Sequence, residues 1–116
     1  MSYDATIELV SLALDASLMR QTAIANNIAN ANTRGYQTME VNFEQQLTNN
    51  PAADITASDG FFKDINPFYQ ASENSSPLDE QIALSVKNAT HYRALIKGLN
   101  QKFALMKLAL HGNNQS

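Results

Sequence analysis

The strongest constraint in this chain is a heptad repeat near its C-terminal end. From Ile82, one column runs Ile82, Ala89, Ile96, Phe103 and Leu110, and a companion column runs Ser85, Tyr92, Leu99 and Met106. Eight of these nine positions are apolar or aromatic, and the exception, Ser85, has Val86 beside it. Four heptads at a 3.5-residue repeat form the seam of a coiled coil. The pattern predicts a helix over 79–110, started by Pro77-Leu78-Asp79-Glu80 and stopped by His111-Gly112. Such a helix spans about 48 Å, longer than a small domain requires. Gly98 in its interior costs about 1 kcal/mol relative to Ala, so it is expected to mark the close approach of another helix.

A second helix is expected over 4–31. Ile7, Val10, Leu14, Leu18, Ala25 and Ile28 recur on one face, and the stretch holds neither Gly nor Pro. Asp4 or Ser2 would cap it, and Asp4 and Glu8 would sit favourably at the positive end of its dipole. Between the helices the chain changes character. Residues 36–78 hold all three prolines, many Asn and Ser, and little periodicity. Only Met39 to Phe43 alternates, which leaves room for a short strand or extended arm. The fold class that follows is all-α: two long terminal helices packed as an antiparallel coiled-coil-like pair, with a long irregular middle segment. The divisions are 1–35 (helix and Asn-rich turn), 36–78 (irregular or flexible middle) and 79–116 (coiled-coil helix), together one structural domain.

Composition narrows what such a fold does. With 116 residues and 44% hydrophobic content, the core is thin, and stability is expected to be borrowed in part from partners. There is no cysteine, which excludes disulfides and thiolate chemistry. The first residues do not read as a secretory signal, and no apolar run approaches the roughly 20 residues of a membrane span. Direct membrane insertion is therefore not expected. All eleven acids lie in residues 1–80 with three bases, a net of −8, whereas residues 81–116 hold five bases and no acid. Complementary halves explain this better than nucleic-acid binding, because no aromatic platform accompanies the bases. The only histidines, His91 and His111, have no neighbouring carboxylate, and no nucleophile or phosphate-loop motif is present. No catalytic, cofactor-binding or metal-ligating residue is expected, and the chain is not read as an enzyme.

The informative local motif is Ala25-Asn26-Asn27-Ile28-Ala29-Asn30-Ala31-Asn32-Thr33-Arg34-Gly35-Tyr36. So many Asn at a helix end are poor for helicity, but they bond backbone groups and tolerate a left-handed turn. Asn26, Asn27 and Asn30 would offer amides to a neighbouring chain or to the returning backbone, or would only cap their own helix. The residues alone leave both open. Gly35 closes the turn and Tyr36 begins the extended arm.

This motif resembles the N-terminal signature of the flagellar rod and hook proteins. The stretch Leu78-Asp79-Glu80-Gln81-Ile82, with Asn88-Ala89, Tyr92, Leu99, Lys102-Phe103 and Leu108, is similar to the proximal rod members of that axial family. The resemblance covers about the first 43 and last 39 residues. It departs from the family at Arg34, where Pro is common. The resemblance implies a structural subunit of the proximal rod of the basal body, made in the cytoplasm and exported by the flagellar type III apparatus. Its place would be the periplasmic rod. Its partners would be other copies of itself, other rod proteins, and the proteins at the membrane-ring and export-gate junction. Asn26, Asn27, Ile28, Ala29, Asn30, Asn32, Thr33, Gly35 and Tyr36 would form the assembly motif. Ile7, Val10, Leu14, Leu18, Ile28, Ile82, Val86, Ala89, Tyr92, Ile96, Leu99, Phe103, Met106 and Leu110 would pack the helices. The rival is a soluble helical adaptor or chaperone-like module that uses the heptad face as a binding groove.

Overall fold

The computed structural model of the chain describes residues 5–49 and 62–114. Five elements follow in order: α1 (Ala5–Ala29), β1 (Met39–Asn42), α2 (Glu44–Asn49), β2 (Phe68–Ala71) and α3 (Leu78–Asn114). The two long helices lie against each other, and the molecule is a rod of 66 × 27 × 16 Å. Their direction is read from side-chain pairing: Ser17 meets Asn88, Gln21 meets Ser85, and Asn27 meets Gln81. Residue numbers rise on one helix as they fall on the other, so the pair is antiparallel, as expected.

The middle segment carries more structure than its weak periodicity promised. β1 and β2 form a two-stranded antiparallel sheet in which Met39 faces Ala71 and Asn42 faces Phe68. Alternation in Met39 to Phe43 is the reason. Val41 and Phe43 point to one side and are buried. They join Ala16 and Ile65 in the apolar core, covered by Leu9, Leu12, Ala13, Met19, Leu47 and Phe62. Ala13 and Ala16 are small enough to let the strand settle onto α1. The main apolar core therefore lies between α1 and the middle segment. Residues 50–61 of the segment expected to be irregular lie outside the described residues, as do Ser2 and Asp4.

Helix ends follow local chemistry. The Gln81 N–H donates to the Pro77 carbonyl at 3.1 Å, and Asp79 and Glu80 occupy the first turn of α3. At its other end α3 runs through Gly112 to Asn114, past the expected stop. Gly35 is the only described residue with positive φ (81°), so Gly112 does not take the left-handed turn that would end the helix. Gly98 is exposed, with nothing within 4 Å of where a Cβ would stand. The close helix approach expected there is not made within the subunit.

Candidate functional site

Two features of this fold bear on function: the seam between α1 and α3, and the part of α3 that extends past it. The seam is polar. Ser17 Oγ donates to Asn88 Oδ1 at 3.1 Å, while Asn88 Nδ2 donates to the Ser17 carbonyl at 2.8 Å and to Gln21 Oε1 at 3.0 Å. Gln21 Nε2 donates in turn to Ser85 Oγ at 2.9 Å. Ser17, Asn27, Gln81 and Asn88 are all buried, and no buried side-chain polar atom among the described residues lacks a partner. Each group has therefore exchanged water for a protein partner, as buried polar atoms must.

The Asn-rich turn divides its labour. Asn27 is 2% exposed and uses its whole bonding capacity. Its Nδ2 donates to the Met39 carbonyl at 2.9 Å and to Gln81 Oε1 at 3.1 Å. Its Oδ1 accepts from the Met39 N–H at 2.9 Å and from the Tyr36 hydroxyl at 3.0 Å. One amide thus ties α1, the arm, β1 and α3 together. Asn30 works locally: it donates to the Asn26 carbonyl at 2.9 Å and accepts from Thr33 Oγ1 at 3.1 Å. Gly35 turns the chain so that Tyr36 comes back over Asn27. Asn26, Ala29 and Asn32 are exposed, and Ile28 is half-buried.

The expected packing residues divide as well. Val10, Leu14 and Ile28 share the α1 face of Ser17 and Gln21 at about 100° per residue, and all are half-buried. Ile7 is half-buried at its edge, and Leu18 is exposed. On α3, Ala89, Tyr92, Ile96 and Leu99 are half-buried, whereas Ile82 and Val86 are 50% and 65% exposed. Helical drift accounts for the order. A strict seven-residue column on a straight helix rotates about 20° per heptad, so Ile82 starts outside the seam and Phe103 ends within its line. Of the polar residues at the seam's start, Ser85 stands in the companion column, whereas Gln81 and Asn88 lie outside both apolar heptad columns. Their signal was a four-and-three spacing leading directly to Tyr92.

Phe103, Met106 and Leu110 continue the seam face but lie exposed. With Ser17 opposite Asn88, Ala5 falls opposite about residue 100 in the same antiparallel register, counted at equal rise on both helices. The last turns of α3 overhang, and Leu105 and Leu108 are exposed on their other side. On the flank, Arg20 pairs with Glu44 and also donates to the Val41 carbonyl at 3.4 Å. Partial burial works against Glu44 ionising. The hydrogen bond and charge of Arg20 outweigh it, so the Glu44 pKa lies below the ordinary value. Among the described residues no group of His, Asp or Glu is placed to hold a metal ion, and no helix is long and apolar enough to cross a membrane.

The family model described as flagella basal body rod protein matches residues 11–37, the span from the seam face of α1 to the Asn-rich turn. The flagellar basal body rod protein FlgB of Bacillus subtilis (strain 168) is 27% identical, over 95% of this chain and 96% of its own length. By both comparisons the chain is similar to flagellar basal-body rod proteins, at its Asn-rich turn and along nearly its whole length.

Proposed function

We propose that this chain is a structural subunit of the proximal rod of the flagellar basal body, exported by the flagellar type III apparatus and polymerising in the periplasm through its terminal helices. It joins copies of itself and other rod proteins, next to the proteins of the membrane-ring and export-gate junction, and catalyses nothing. The observation that carries the polymerisation is the overhang. Phe103, Met106 and Leu110 prolong the seam face beyond the reach of α1, and burying such side chains yields about 1.5–3 kcal/mol each. Asn26 and Asn32, whose side chains are exposed, offer amides to neighbouring subunits. Phe103→Asp should leave the chain folded and secreted, yet absent from purified basal bodies, with motility lost. Normal motility and full recovery of that variant in basal bodies would remove polymerisation through α3. An adaptor would stop at a small fixed oligomer, whereas a rod subunit keeps adding copies as concentration rises.

A further inference from the structure

At the end of the molecule opposite the overhang, α1, the strand pair and the start of α3 enclose an open groove of about 770 Å³, within the range of concave binding sites. Four carboxylates line it (Glu40, Glu44, Glu73 and Glu80) against the single guanidinium of Arg20. Its walls include Ile24, Val41 and Leu84. The overhang has the reciprocal character. Its apolar strip of Phe103, Met106 and Leu110 is flanked by Lys102 and Lys107 at about 100° per residue, and α3 holds no acid after Glu80.

We infer that the overhang of one copy docks in the acidic groove of the next, head to tail. The inference rests on the rod-subunit reading and adds which surfaces meet. Two features favour a second copy as the occupant. The charges are complementary, and opposite signs steer such surfaces together while like signs keep identical ends apart. The two surfaces also lie on different parts of one chain, so each copy keeps one of each free after joining. A heterologous contact of that kind propagates into an open helical polymer, where a self-complementary one would close at a dimer. Leu84 and Met106 are 22 residues apart on α3, which sets an axial step of about 33 Å between the two surfaces.

A charge exchange tests this in the full chain. Lys102→Glu/Lys107→Glu alters the overhang, and Glu40→Lys/Glu73→Lys alters the groove. Sedimentation velocity across a concentration series reads association, and circular dichroism checks that each chain is folded. The wild-type chain should grow into oligomers, and growth should fall off with added salt. Each double variant should need about tenfold more protein to associate. The chain with all four changes should recover, because the signs match again. Wild-type oligomers together with a four-change chain no better than the double variants overturn the docking and leave the rod reading standing. The same holds if the groove variant associates like wild type. A wild-type chain that stays monomeric at every concentration overturns both.

Discussion

Asn27→Ala isolates what the Asn-rich turn does inside one subunit. The substitution removes four hydrogen bonds: two with the Met39 backbone, one with Gln81 and one with Tyr36. Water can reach Met39 and Tyr36, which are half-buried, but not Gln81, which is 4% exposed. The stranded Gln81 amide costs about 1–3 kcal/mol, and the three bonds exchanged for water forfeit about 0.5–1.5 kcal/mol each, so the loss is about 2.5–7.5 kcal/mol. The better helix propensity of Ala returns about 0.5 kcal/mol. The net is a large part of the 5–15 kcal/mol that holds a domain together. For a chain of this length, about 4 °C per kcal/mol puts the fall in Tm at about 8 °C or more. Asn30→Ala is the control. Its two bonds are local and exposed, so its Tm should move by less than about 2 °C. Thermal melts followed by circular dichroism decide the matter. Equal, small shifts for both variants would show that the Asn27 clamp contributes nothing and that its geometry is incidental.

Three further outcomes follow from the same geometry. Phe103→Ala would cost about 3–5 kcal/mol at a fully buried site, but with Phe103 48% exposed the isolated chain should lose only about 1 kcal/mol while motility is lost; an early melt would show that Phe103 is packed within the subunit. Because the chain has no cysteine, a pair introduced at 10 and 95 reports the register cleanly: it should cross-link within one subunit, and efficient reaction of 10 with 82 would reverse the helices. The Glu44 carboxyl is held below its ordinary pKa, so the Arg20 pair stabilises the fold fully above the unfolded value and is lost as pH falls through the folded one. The pair is partly exposed and worth at most about 1 kcal/mol, so Glu44→Gln should flatten only that acid limb of a stability–pH curve, and an unchanged limb would exclude the pair as its source.

Much of this fold was legible because long helices announce themselves by periodicity. The spans 4–31 and 79–110 fall within a few residues of the observed Ala5–Ala29 and Leu78–Asn114. The alternation of Met39 to Phe43 gave β1. Less legible was the partner strand. Phe68 to Ala71 is four residues long and mostly exposed, so it lacks the buried alternation that marks a strand from sequence. Its place depends on pairing with β1 across 26 to 32 residues of chain, which no local pattern encodes. The Asn cluster was visible as unusual but not resolved into roles. Asn27 and Asn30 differ by only three residues, yet one faces β1 and α3 and the other faces its own helix end. Side-chain direction around the last turn of α1 separates them, and composition cannot.

The polar character of the seam also explains why so much apolar surface is left at the end of α3. An Asn–Ser–Gln ladder yields little net stability, since each bond replaces one made with water at a gain of about 1 kcal/mol. What it supplies is register. Sliding α1 by one turn would strand Asn88, Ser17 and Gln21 without partners at about 1–3 kcal/mol each, whereas a Leu seam would accept the shift with little loss. Within the subunit, stability then has to come from the core between α1 and the middle segment. A chain arranged this way keeps a defined shape at modest internal stability and holds back its most apolar helix face. If the chain is exported and assembles as proposed, those two properties belong together: weak internal packing lowers the cost of unfolding, and the reserved apolar face makes the folded state strongest only after a neighbour has joined.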